Sequence, residues 1–100
     1  MVYEIAALAI KPERTDAFRR AFSEVAYLLA RAKGYKGLMQ GVETPSHFSL
    51  IVQWQTLEDH TQGIEPSEDH GVFMIGLQAY LVEQPVVFHA RVICDDCPLA

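Results

Sequence analysis

One hundred residues, half of them hydrophobic and 21% charged, suit a single well-packed domain that buries roughly two-thirds of its unfolded surface. A net charge of −5 with only eight lysines and arginines excludes the dense basic surface that nucleic acid or anionic lipid requires. No apolar run reaches the length of a membrane span, and the N-terminus has no charged-then-apolar signal pattern, so the cytoplasm is the expected compartment.

Residues 2–10, VYEIAALAI, are almost continuously apolar and short, which predicts a buried strand. Pro12 suits a first helical position and Glu13 a first turn. Phe18, Ala21, Phe22, Val25, Leu28, Leu29 and Ala32 then recur at helical spacing. Arg31 and Lys33 complement the end of that helix, and Gly34 closes it. Tyr35 to Glu43 predicts a second strand, loosened by Gly37 and Gly41. Thr44-Pro45-Ser46 turns the chain into a third strand, His47 to Gln55.

Thr56 and Asp59 have the spacing of a capping box, so a short helix starts there and ends near Gly63. Pro66 and Ser67 restart a helix, with Glu68 and Asp69 in its first turn. Val72, Phe73, Ile75, Gly76, Ala79 and Tyr80 supply its apolar stripe, Pro85 stops it, and Val86 to Ile93 is the last strand. The order is β-α-β-β-α-β with the second helix split. That predicts an α+β, ferredoxin-like domain over residues 1–93 with a four-stranded antiparallel sheet, followed by a tail, residues 94–100.

Two helices cover only one side of such a sheet, and the other side should look polar if it met water. Ile5 to Ile10 instead shows no alternation, and Leu50, Ile51 and Val52 are apolar on both faces. The last strand puts Val86, Phe88, Ala90 and Val92 on one face, with Val87, His89, Arg91 and Ile93 on the other. A sheet that is apolar on both faces needs a second cover. The simplest is another copy of itself, so a homodimer joined through the sheet faces is expected.

The stretch Phe48 to His60, FSLIVQWQTLEDH, is the best functional clue. It runs an apolar strand into Trp54 and then a short helix carrying His60. An aromatic at a strand end and an imidazole on the next element can share one pocket. Trp54 either stacks on a flat substrate or fills the core. His60 is either a base for a phenolic proton or a histidine on a helix's first turn. His89 lines the pocket or bonds across the dimer, and Tyr3 and Tyr80 offer phenolic donors or pack in the core. Glu58-Asp59-His60 is echoed by Glu68-Asp69-His70. Neighbouring side chains on a helix diverge, and acids favour its first turn, so no metal site is expected there. The Cys94/Cys97 pair, CDDC, is half of a four-ligand zinc site at most and does not open a helix, so it reads as tail.

With Trp54, the W-Q-T-L-E-D-H run to His60 and P-V-V-F-H over Pro85 to His89, the chain resembles the antibiotic-biosynthesis-monooxygenase family. That family lies within the dimeric α/β-barrel group. The resemblance spans nearly the whole chain in element order and length, and implies a pocket in each subunit between sheet and helices. Some members oxidise polycyclic phenols or quinols there with O2 and no metal, flavin or haem. Others degrade haem, isomerise small signalling compounds, or have no known activity. Oxygenating members carry an asparagine at the position matched by Leu50 and a tyrosine where this chain has His60. Haem-degrading members need an asparagine on the first strand, and this chain has no asparagine. They also need a tryptophan and a histidine at positions that fall near Gly63–Ile64 and Phe73–Met74, so haem is disfavoured.

The resemblance implies cofactor-independent oxygenation of a hydroxylated aromatic or quinol, with His60 and Trp54 catalytic. Tyr3, Phe48, Leu50, Val52, Phe73, Tyr80 and His89 would line the substrate site. The alternative is a non-oxygenase of the same fold, a dimeric small-molecule-binding or isomerase-like protein.

Overall fold

The structure is a computed structural model that describes residues 1–93, so the tail and its Cys94/Cys97 pair lie outside the described residues. Strand β1 (Val2–Ala9) alternates despite its apolar run: Val2, Ala6 and Leu8 are buried, while Ala7 is exposed and Tyr3 and Ile5 are half-buried. Strands β2 (Tyr35–Thr44) and β3 (His47–Trp54) form a hairpin, and β4 (Val86–Arg91) closes the sheet. The order is β2-β3-β1-β4, every pair antiparallel, which is the ferredoxin-like arrangement read from the element order.

The helical layer lies on the face that carries Phe48, Leu50, Val52 and Trp54. It comprises α1 (Thr15–Val25), α2 (Tyr27–Ala30), a turn at Asp59–Ile64 and α3 (Glu68–Gln78). Phe18 and Phe22 from α1, Leu28 and Leu29 from α2, Ile64, and Phe73 and Leu77 from α3 join those strand residues in one core. The rings interlock, with Phe18 5.2 Å from Phe48 and Phe22 edge-on to Phe73 at 5.9 Å.

The first helix is segmented where its spacing predicts one continuous element. A 3-10 turn at Pro12–Arg14 precedes α1, and Ala26 separates α1 from α2. The last helix ends at Gln78, before Pro85 is reached. Tertiary pairing takes over there: Lys11 N–H donates to Tyr80 O at 2.9 Å and Val82 N–H to Ala9 O at 2.8 Å. Those bonds tie the chain to the end of β1 and satisfy backbone groups that a longer helix would have used. The apolar stripe of α3 also differs from its spacing. Phe73 and Leu77 are buried, whereas Val72 and Ile75 face outward. Gly76 lets α3 approach α1, since a Cβ there would stand 2.9 Å from Val25 Cγ1.

The opposite face of the sheet carries Tyr3, Ile5 and Ala7 beside Ile51, Met39, Val86 and Phe88, as the strand registers require. Met39, Val86 and Phe88 are each more than half exposed. Among the described residues no helix is long and apolar enough to cross a membrane.

Candidate functional site

The reciprocal capping box predicted at Thr56 and Asp59 forms. Asp59 N–H donates to Thr56 Oγ1 at 3.1 Å, and Thr56 N–H donates to Asp59 Oδ2 at 3.2 Å. Gly34 makes room for this cap. Its φ is +85°, and a Cβ there would overlap the Asp59 carboxylate. The turn that follows is wide: Glu65 N–H donates to His60 O at 2.9 Å, five residues back. Such π-type turns recur at functional sites. This one turns His60 inward, where the imidazole is buried against the sheet.

His60 meets four partners. Its Nε2 lies 3.2 Å from Glu4 Oε1 and 3.7 Å from Glu65 Oε2. Its Nδ1 lies 2.7 Å from His89 Nε2, so the two imidazoles share one proton across that gap. Its ring stacks on Trp54, with centroids 5.8 Å apart at 29°. Trp54 Nε1–H donates to the same Glu4 oxygen at 3.0 Å. Strand register assembles the group, because Glu4 stands opposite His89 while Val2 stands opposite Trp54. Burial acts to raise the Glu4 carboxyl. The hydrogen bonds from His60 and Trp54, with the charge of His60 and His89, outweigh it and hold Glu4 below its ordinary range.

A cavity of about 250 Å³ opens beside this group, between the sheet and α3. Glu4, His60, Glu65 and His70 form its polar end. Its walls are apolar, with Leu8, Leu29, Leu50, Phe73, Leu77 and Val87 prominent. A small concave site with an apolar body and a few convergent polar groups is the usual form of a ligand pocket.

Of the residues singled out in the sequence, His60, Leu50 and Phe73 line this cavity. Trp54 is fully buried against His60, so its ring is closed to a flat ligand and its indole N–H is committed to Glu4. His89, exposed on the edge strand β4, is outside the cavity wall but touches His60 directly. Phe48 and Val52 are core residues outside the cavity wall, although they share the inward face of β3. Tyr80 packs edge-on against Phe18, with the Arg14 guanidinium 4.9 Å from its ring centroid. Tyr3 is on the other face of the sheet, where its hydroxyl accepts from Gln53 Nε2 at 3.3 Å. Alternation along β1 makes that placement unavoidable once Glu4 points inward.

The sequence reading missed Glu4 and Glu65, and weighed His70 only as a possible metal ligand rather than as a cavity residue. The signal for Glu4 was present: it is the one acid in VYEIAALAI and shares parity with the inward Val2, Ala6 and Leu8. The echoed triplets separate, as helix geometry requires. Asp59 caps, His60 turns to Glu4, Asp69 pairs with Arg31, and His70 faces the cavity. Among the described residues no group of three or more His, Cys, Asp or Glu is placed to hold a metal ion.

Comparison with known proteins places this chain in a family. The family model for antibiotic biosynthesis monooxygenase matches residues 1–74. YczJ of Bacillus subtilis, an uncharacterized protein, is 34% identical over 91 residues, covering 89% of this chain and 96% of its own. A Bordetella bronchiseptica structure named for the same family superposes with a TM-score of 0.85 at 25% identity, covering 93% of this chain and 97% of its own. Rv0793 of Mycobacterium tuberculosis shares the fold at 11% identity, with a TM-score of 0.78 and coverage of 96% and 98%. The chain belongs to the antibiotic biosynthesis monooxygenase family.

Proposed function

We propose that the protein is a cofactor-independent monooxygenase that oxidises a hydroxylated aromatic or quinol-type small molecule with O2. It acts in the cytoplasm as a homodimer joined through the open sheet faces. The observation that carries this reading is the Glu4–His60 pair, a carboxylate and an imidazole 3.2 Å apart at the polar end of an otherwise apolar cavity. Family membership supports the reaction class. The exposed Met39, Val86 and Phe88 on the uncovered sheet face support the dimer.

In this mechanism the pair accepts the hydroxyl proton and leaves the ring electron-rich enough to reduce O2. One oxygen atom enters a ring C–H position and the other leaves as water. Conversion of a phenol to a quinone supplies all four electrons that O2 takes up, so no outside reductant enters the balance. Apolar walls keep water from the reactive intermediate. Trp54 and His89 hold the pair in register.

Oxygen uptake by chelator-treated protein with hydroxylated naphthalenes, anthrones and quinols tests the proposal. Uptake that falls at least about 100-fold in His60→Ala, the scale of a lost acid–base group, is the expected result. Uptake unchanged in His60→Ala would remove the pair from the mechanism.

A second reading, a dimeric binding or isomerase-like protein, has its own observation. Both ring nitrogens of His60 already face protein partners, and Leu50 presents a purely apolar wall. Tight ligand binding without oxygen consumption would favour it.

A further inference from the structure

We infer that Glu4 is the specificity-determining residue of this cavity: its free carboxylate oxygen selects neutral aromatic ligands with an O–H or N–H donor and rejects anionic ones. This deepens the reading above by naming what its site admits, but the selection concerns binding and holds with or without turnover.

The carboxylate is used unevenly. Trp54 Nε1–H and His60 Nε2 both address Oε1. Among the described residues no buried side-chain nitrogen or oxygen lacks a hydrogen-bond partner. Oε2 receives neither of those bonds, so it is the oxygen open to the cavity that Glu4 lines. His60 cannot substitute as acceptor, since Nε2 faces Glu4 and Nδ1 faces His89. The polar end therefore presents a lone pair, and the complementary ligand group is a donor.

Charge narrows the choice further. Among the described residues the lining contains no lysine or arginine. Its other ionisable groups are Glu65 and His70, neither of which supplies a fixed positive charge. Any charge on the His60–His89 pair is already directed at Glu4 through Nε2. A carboxylate or phosphate ligand would lose its water and meet a carboxylate in a mostly apolar cleft, which is costly in both respects.

Volume sets the scale. A cavity of about 150 Å³ holds benzene, so about 250 Å³ corresponds to a two-ring ligand. Three or four fused rings would have to project through the open side.

The test is calorimetric titration under argon with 2-naphthol, 2-naphthoate and naphthalene, on wild type and Glu4→Gln at neutral pH. The expected result is wild-type binding of 2-naphthol at least about tenfold tighter than of 2-naphthoate or naphthalene, the scale of one hydrogen bond to a charged group. In Glu4→Gln the naphthol-to-naphthoate ratio should fall to within about threefold. Naphthoate binding as tightly as naphthol, failure of all three to bind, or an unchanged ratio in a folded Glu4→Gln would each overturn the inference. If Glu4→Gln does not fold, the wild-type series decides alone. Because oxygen is excluded, selective binding without later oxygen uptake would sink the oxygenase reading and leave this one standing.

Discussion

The two faces of the sheet solve opposite problems. On the inward face the chain's own helices pack the two central strands, β1 and β3, which still admit one carboxylate, Glu4, because Trp54 and His60 hold its Oε1. On the outward face the Tyr3–Gln53 bond is the polar contact of the central strands, among the described residues, yet Phe88 stands 54% exposed and Met39 59% exposed there. Strand alternation gives the two faces different neighbours from almost the same residue types. A carboxylate inside costs little when its inward oxygen is hydrogen-bonded and the other meets a cavity, whereas an apolar surface outside calls for a partner.

The sharpest way to break that contrast is a charge on the outward face. Phe88→Asp is expected to convert a sedimenting dimer into monomer, or to leave unstable protein if the protomer needs its partner. A wild-type protein that sediments as a monomer would show that this face tolerates water, and the contrast would lose its meaning. On the inward face, Trp54→Ala removes the most completely buried large side chain and one of the two donors to Glu4. Its expected cost is about 3–5 kcal/mol in urea unfolding, the range for large aromatic deletions.

Glu4→Leu comes next. It strands the indole N–H and the His60 Nε2, so a loss of about 2 kcal/mol or more is expected. Glu4→Gln keeps an acceptor oxygen for both donors and should cost distinctly less. Equal losses for the two variants would mean that packing, not hydrogen bonding, holds the carboxylate.

Why this network was hard to read follows from how it is assembled. The strand and helix order was legible because each element announces itself locally: the capping box at Thr56 and Asp59, Ser67 ahead of Glu68, and the apolar spacing through Phe18 and Phe22. The apolar outward face could be counted from strand parity. Glu4 could not be joined to His60 and His89 in the same way. Their meeting depends on the β1–β4 register and on a wide turn at His60, two non-local choices that no short window encodes. The early end of α3 was hidden for the same reason, since the bonds that replace its last turns come from Ala9 and Lys11.

Acid sharpens the comparison with a third region, the surface. Glu4 is held below its ordinary range in the fold, so its contribution is fully present above the unfolded value, about 4.3, and is lost as pH falls through the lower folded value. The groups facing it are His60, His89 and, beyond His60, Glu65. Thermal midpoints of wild type should therefore drop below about pH 4.3 more steeply than those of Glu4→Gln. Matching slopes would show that Glu4 is not held low by the fold.

Asp69 has the same sign of shift for a different reason, and the smallest effect is expected there. Arg31 donates to it twice, from Nε at 2.7 Å and from Nη2 at 2.6 Å, and these bonds lower the Asp69 carboxyl. Both partners are solvated, however, and water and salt weaken such pairs to near nothing. Asp69→Asn should accordingly leave the urea midpoint close to wild type, and any difference should vanish in about 1 M salt, where the screening length falls to about 3 Å. The deficit of Glu4→Leu should persist under the same conditions, because its partners are Trp54 and a buried imidazole rather than a surface guanidinium. If instead salt erased the Glu4→Leu deficit and spared that of Asp69→Asn, the exposed pair would be the structural anchor and the buried carboxylate an incidental passenger.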